Sequence, residues 1–470
     1  MTFTSLDFAV FFLIVIASRI WIGRTGREPA YLLILLLGSL LFYAWHVPWY
    51  LGIMLLTTIV HYYAGRYIAA ADRASIGRRL VFVGAITASL ALLATFKYAN
   101  FIVDALDSGL VLAGLAPGLT HASIILPIGI SFYTFHALSY TIDVYRGKTT
   151  TTDRFWKFLL YIAFFPQLVA GPIVRATEFL YQIERKRSLS QVVVLSGLYL
   201  CIRGFFFKLV VADNIASVVD MFWKSIALPT ANPTNVLIVV FLFSMQIFAD
   251  FLGYTDIARG VAYVLGFRLP LNFNYPYIAS TFSDFWRRWH ISLSSWLRDY
   301  LYVPLGGNRV SVPRTYANLL MVMLLGGLWH GAAYTFIIWG GIHGLALAIE
   351  RALGIPGLKP GGVRLIWWLV VQCMVLVAWT FFRATSAGEA VAIVANLLST
   401  RYTATVQPDI LFGLLFAAPV VAIHARAWLA EQGWVPRAGL GESGAWAAAM
   451  VYLTLTAYGH TVSPFIYFQF

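Results

Sequence analysis

Two histidines stand where a titratable side chain needs a reason to be. His290 closes the stretch Ser283-Asp284-Phe285-Trp286-Arg287-Arg288-Trp289-His290, and Trp329-His330 follows forty residues later (330 − 290) inside a long apolar run. A histidine buried among apolar side chains stays neutral, and a neutral imidazole can take the proton of an alcohol as it attacks a thioester carbonyl. The competing reading of His330 is a core histidine that bonds a carbonyl across helices, the commoner case for a single membrane histidine. His290 could align a donor or share the proton transfer; otherwise it is an aromatic-belt residue beside Trp286, Trp289 and Trp296. Arg287, Arg288 and Arg298, with Trp289 among them, form the candidate donor-binding set. Guanidinium groups can grip a pyrophosphate or carrier phosphate, or they can serve lipid phosphates and topology instead.

The other candidates are weaker. His343 lies thirteen residues beyond His330 (343 − 330), so on a continuous helix it falls on another face and reads as core. His46, His61, His136, His424 and His460 have no distinguishing context. Ser294 is one turn from His290, but a serine on an arginine-rich face is more often polar surface. No GxSxG, HExxH, HxxxD or GxxxxGK[ST] pattern occurs, which disfavours a hydrolase elbow, a zincin, soluble HxxxD acyltransferases and a P-loop ATPase. Cys201 and Cys373 lie in apolar segments without a CxxC partner, so no disulfide framework or metal site is expected.

The elements that must position these residues are membrane elements. Of 470 residues 60% are hydrophobic and 11% charged, about half the charge of a soluble domain. Apolar stretches of bilayer length recur from end to end and run continuously rather than alternating, so the expected class is all-α, integral and multi-pass, with about eleven transmembrane helices. The net charge of +13 falls between the apolar spans. It reads as the positive-inside rule and contact with anionic membrane lipids, not as nucleic-acid binding. The first apolar run, Phe8 to Ile22, lacks a basic n-region and reads as a retained span.

Around His290, Ser283 is the expected N-cap and Asp284 the first-turn acid of a helix. Steps of three and four from Trp286 through Trp289, His290, Leu293, Trp296, Leu297 and Tyr300 trace one aromatic face. Residues 267–314 carry a surplus of four arginines over aspartates (6 − 2), and their apolar pieces are too short to span, so re-entrant or interfacial helices are expected. Leu319 to Ile349 would be roughly 46 Å as one helix, too long for a ~30 Å core, so two helices are expected. Gly326-Gly327, Gly331 and Gly340-Gly341 are the candidate breaks and close-packing points.

Elsewhere, residues 80–97 are expected to span, with 100–121 a separate external helix and loop ending in Gly114-Leu115-Ala116-Pro117-Gly118. Phe164-Phe165-Pro166-Gln167-Leu168-Val169-Ala170-Gly171-Pro172 is a proline-broken apolar run. Such backbone is tolerated at membrane depth only inside protein or around a water-filled cavity, so it is a cavity wall or a helix end at the interface. Arg175, Arg185, Lys186 and Arg187 form a basic cytoplasmic cluster. Asp256 and Arg259 are three apart and suggest a structural pair.

The long motifs carry a resemblance. Phe285-Trp286-Arg287-Arg288-Trp289-His290-Ile291-Ser292-Leu293, Trp296-Leu297-Arg298-Asp299-Tyr300-Leu301-Tyr302, Pro304-Leu305-Gly306-Gly307-Asn308-Arg309 and Leu325-Gly326-Gly327-Leu328-Trp329-His330-Gly331 are similar to the membrane-bound O-acyltransferase family. More narrowly they resemble its bacterial alginate O-acetyltransferase subgroup. Supporting stretches run from Leu41-Phe42-Tyr43-Ala44-Trp45 to Phe465-Ile466-Tyr467-Phe468-Gln469-Phe470. The resemblance implies one membrane domain over 1–470 with its core motifs at 283–350. It also implies a ring of spans around a thinned centre pierced by a tunnel, in the bacterial inner membrane. It places the family's hallmark histidine on His330 and its second polar position on His290. An acetyl group would come from a cytoplasmic thioester, acetyl-CoA or an acyl carrier, with no bound cofactor. It would pass toward an exported polysaccharide such as alginate or cellulose, with a separate periplasmic acetyltransferase finishing the transfer. The rivals are D-alanyl or other acyl transfer from a carrier protein, and a transporter of lipid-linked sugars.

Overall fold

A computed structural model describes residues 1–25, 28–116, 118, 124–168, 171–185, 191–225, 230–355, 362–436, 440–459 and 463–466. Pro117, Val169-Ala170, Lys186-Arg187, His460 and the stretch Tyr467 to Phe470 lie outside them. Every regular element among the described residues is helical. Five helices are long and apolar enough to cross a membrane: Ile76–Leu112, the run Val193–Lys224, Pro233–Val264, Gly362–Arg383 and Pro408–Glu431. The chain divides into two compact units, one of Met1–Leu198 with Ala258–Pro270, the other of Tyr199–Ile257 with Leu271–Phe470.

The first unit is built on aromatic packing. Phe11 and Phe42 meet Phe165 at ring distances of 5.1 and 5.5 Å. The proline-broken run is here the inside of the protein: Phe164, Phe165, Gln167 and Leu168 are fully buried. The Ser39 hydroxyl accepts from the Phe165 N–H at 3.2 Å, which satisfies a backbone donor that the broken helix leaves over. Helix Ile76–Leu112 is continuous for 37 residues, roughly 55 Å. It corrects the expectation of a span at 80–97 followed by a separate helix, because no proline interrupts 98–112 and the two aspartates, Asp104 and Asp107, do not break the ladder.

The long helix Pro233–Val264, which lies in the second unit as far as Ile257, is the most enclosed of the five, with 83% of its apolar window buried. A π-helical stretch, Phe206–Ala212, interrupts the helical run beside it and carries the buried Lys208. Lys208 Nζ lies 2.8 Å from both Asp213 and Asp250 and donates to the Ser463 carbonyl at 2.8 Å; Asp250 also accepts from the Ile466 N–H at 2.7 Å. A buried charge persists only with such partners. Asp256 pairs with Arg203 at 2.7 Å, a partner that helix spacing did not suggest.

Candidate active site

Residues 282–300 are not the single helix that spacing predicts. Helix Phe282–Arg288 ends at Trp289, and helix Ile291–Leu297 starts after His290. His290 has φ 41 and ψ 54, a left-handed conformation that costs a non-glycine residue about 1–3 kcal/mol and persists where surrounding structure over-determines it. Asn272 supplies that support. Its carbonyl accepts from the Ile291 N–H at 2.9 Å and its side chain from the Ser292 N–H at 3.3 Å. The N-cap is Thr281, not Ser283: its hydroxyl accepts from the Asp284 N–H at 3.0 Å. Asp284 is in the first turn as expected. The buried Glu350 carboxylate accepts from the Phe282 and Ser283 N–H groups and from Trp367 Nε1, so an anion sits at the positive end of the helix.

The apolar run that holds His330 does form two helices, Val312–His330 and Tyr334–Ala352. They pack so closely that a Cβ on Gly327 would overlap the Phe336 carbonyl, and one on Gly340 the Met323 carbonyl. His330 is the last residue of its helix. Its ring sits 5.0 Å from Trp329, 5.0 Å from Trp339 and 5.4 Å from Phe382. Three aromatic rings thus fix the imidazole's plane.

The elbow brings His290 to His330, with ring centres 6.3 Å apart. His290 is completely buried and meets Phe251 edge-on at 4.7 Å. His330 is 6% exposed and lines a cavity of about 380 Å³. The same cavity is lined by Arg287, Arg298, Ser294, Ser295 and Tyr302. His290 is behind its wall, not on it. An imidazole on the wall can reach a ligand; one behind the wall can hold the first in place.

The candidate donor-binding set separates. Arg287 and Arg298 open on the His330 cavity. Arg287 is exposed and gives its Nε to the Ser283 carbonyl at 3.2 Å. Arg298 bonds Asp299 through both Nε and Nη2, at 2.7 and 3.2 Å, which holds its guanidinium above the usual arginine range. Arg288 faces a different cavity, where Asp284 and Glu431 hold it at 2.9 and 2.8 Å. Trp289 is buried and packs on Trp379 at 4.9 Å.

Sequence reasoning passed over Glu350 and reached His343 by an argument that fails. His343 was placed on another face by a continuous-helix argument, but the break at Gly331 voids it. His343 meets the same Trp339 at 4.8 Å and Trp286 at 5.0 Å, and at 1% exposure it is core, as expected, packed behind rings that line the cavity. Glu350 is the first charge after the uncharged run Leu319 to Ile349, and that position was the available signal. Among the described residues no cluster of histidine, cysteine and carboxylates has a metal-holding arrangement.

An aromatic-caged histidine on a cavity fringed by arginines suits transfer of an acyl group from an anionic thioester donor. A profile of the membrane-bound O-acyltransferase family matches residues 150–354, which include His290 and His330. A probable alginate O-acetylase AlgI of Azotobacter vinelandii is 42% identical over 370 residues, covering 78% of this chain and 72% of that protein. A protein of the same name from Pseudomonas putida is 37% identical over the whole of both chains. A peptidoglycan O-acetyltransferase of Helicobacter pylori is 35% identical, covering 77% of this chain and 73% of its own. The chain belongs to the membrane-bound O-acyltransferase family and is an O-acyltransferase.

Proposed function

We propose that this enzyme moves acetyl groups from a cytoplasmic thioester, acetyl-CoA or an acyl carrier, to the far side of the bacterial inner membrane for O-acetylation of an exported polysaccharide. The observation that supports it best is His330 on the cavity wall, held by three aromatic rings, with Arg287 and Arg298 on the same cavity. The names of the relatives, alginate O-acetylase and peptidoglycan O-acetyltransferase, favour an envelope polysaccharide over a protein or sterol acceptor.

In this reading His330 takes the proton of the attacking hydroxyl. The hydroxyl oxygen forms the new ester bond, the thioester C–S bond breaks, and the proton leaves with the thiol. The neutral imidazole is the competent base. His290 positions His330 from behind, and Arg287 and Arg298 hold the phosphates of the donor. About eleven membrane crossings, the re-entrant pieces at 267–314 and a tunnel joining the two faces complete the arrangement. A periplasmic acetyltransferase accepts the group on the other side.

The test is polymer acetylation in cells carrying His330→Ala, with membrane levels matched to wild type. Loss of acetyl groups with polymer export intact is the expected result. Full acetylation would refute the role of His330, and loss of the polymer itself would favour the transporter. Supplying purified membranes with acetyl-CoA or with an acetylated carrier protein separates the two donors.

A further inference from the structure

A second cavity, about 860 Å³ against 380 Å³ at His330, lies along helices Gly362–Arg383 and Pro408–Glu431. Its volume is at the upper end for small-molecule sites, about 300–1,000 Å³. Both helices are apolar and long enough to cross a membrane. The first begins, and the second ends, at the cavity's mouth, where Arg364 and Glu431 stand. His330 is not on its wall.

The mouth is zwitterionic. Arg288 is shared between Asp284 and Glu431, so these three leave one negative charge over. Arg364 gives Nε to the Ser280 hydroxyl at 2.9 Å and has no carboxylate partner among the described residues. Further in, about 10 Å along the helix from Glu431, His424 is 6% exposed. Its Nδ1 donates to the Val420 carbonyl at 2.8 Å, so a neutral ring presents Nε2 as an acceptor. That atom, and the donor Nε2 of Gln372, are buried and have no hydrogen-bond partner among the described residues. Both residues line the cavity. Buried polar atoms without partners are costly unless something else supplies them.

We propose that this cavity binds a phosphoethanolamine lipid. The phosphate meets Arg364, and the primary ammonium donates to His424 Nε2 in the field of the negative charge left over by Asp284 and Glu431. A glycerol ester carbonyl accepts from Gln372 Nε2. The acyl chains run along Leu365, Leu376 and Val421, which line the cavity. A choline lipid has no N–H for His424. A purely anionic lipid meets a mouth whose charges sum to zero. Inorganic phosphate leaves the apolar walls uncovered.

The test uses the full chain purified in detergent and equilibrated with equimolar dioleoyl phosphatidylethanolamine, phosphatidylcholine and phosphatidylglycerol. Native mass spectrometry reads the retained lipid. The ethanolamine lipid is expected at least ten-fold above the other two on the wild-type chain, a result that requires no variant to fold. His424→Ala should cut that preference about ten-fold, whereas Arg364→Ala should cut retention of all three lipids about ten-fold, with Arg364→Lys keeping part of it. Soluble glycerophosphoethanolamine at the same concentration should not compete. His330→Ala should retain the lipid unchanged, which keeps this result independent of acyl transfer. Equal retention of the three lipids, preference for phosphatidylglycerol, competition by the soluble headgroup, a preference that survives His424→Ala, or full retention on Arg364→Ala would overturn it.

Discussion

His61 and His330 are both buried histidines on apolar helices, one in each unit, and the chain uses them oppositely. His61 spends both nitrogens on hydroxyls, Thr141 and Ser89, each at 2.6 Å, and is completely buried. His330 is gripped by ring faces and edges and opens on a cavity. Hydrogen bonds on both sides make an imidazole a strut between helices. Aromatic contacts and an open cavity make it a side chain that a ligand can reach. Burial alone therefore does not separate the two; the cavity at His330 does.

The largest effect should come from breaking the pair at His330. His330→Ala is expected to lower the transfer rate by about 10²–10⁴, the usual scale for loss of a general base, with little change in thermal stability. His61→Ala should do the reverse. It strands two buried hydroxyls at about 1–3 kcal/mol, seen as a lower unfolding temperature in detergent, while the rate per folded molecule stays within about two-fold. A rate loss at His61 equal to that at His330 would erase the distinction between strut and base.

The next effect concerns what supports the site from behind. Lys208→Met leaves Asp213 and Asp250 buried without their cation, and removing one partner of a buried pair costs about 3–5 kcal/mol. Phe251, beside Asp250, touches both His290 and Phe465, so the loosening should reach His290. Unfolding temperature and transfer rate are expected to fall together. A stable Lys208→Met chain with full activity would show that this cluster does not hold the site.

The sequence carried the two histidines, the helix break in the run after Leu319 and the membrane class, because glycine spacing and uncharged length are local signals. It did not carry the elbow at His290. Steps of three and four predict one face only if the helix is continuous, and the break is imposed by Asn272, eighteen residues away (290 − 272), and by Phe251. Likewise Arg287 and Arg288 are neighbours in sequence but open on different cavities, since adjacent helical positions point about 100° apart. Glu350 and Thr281 cap the start of helix Phe282–Arg288 through contacts that no pattern in 283–300 contains.

The smallest expected effect separates the two arginines that do share the His330 cavity. Arg298 already bonds Asp299 through two nitrogens, and its side chain is 63% exposed. Its charge is therefore largely answered before a donor arrives, and an exposed pair contributes about 0–1 kcal/mol. Arg287 gives only its Nε, to a backbone carbonyl, so more of its guanidinium is available to a phosphate. Arg287→Ala should raise the donor KM about ten-fold, in line with a charge-assisted hydrogen bond of roughly 1.5 kcal/mol. Arg298→Ala should raise it about two-fold or less, with kcat unchanged in both. Asp299→Asn sharpens the contrast: freeing Arg298 should lower the donor KM and make it more sensitive to salt. A larger KM effect at Arg298 than at Arg287 would mean that Asp299 orients its arginine toward the donor instead of neutralising it.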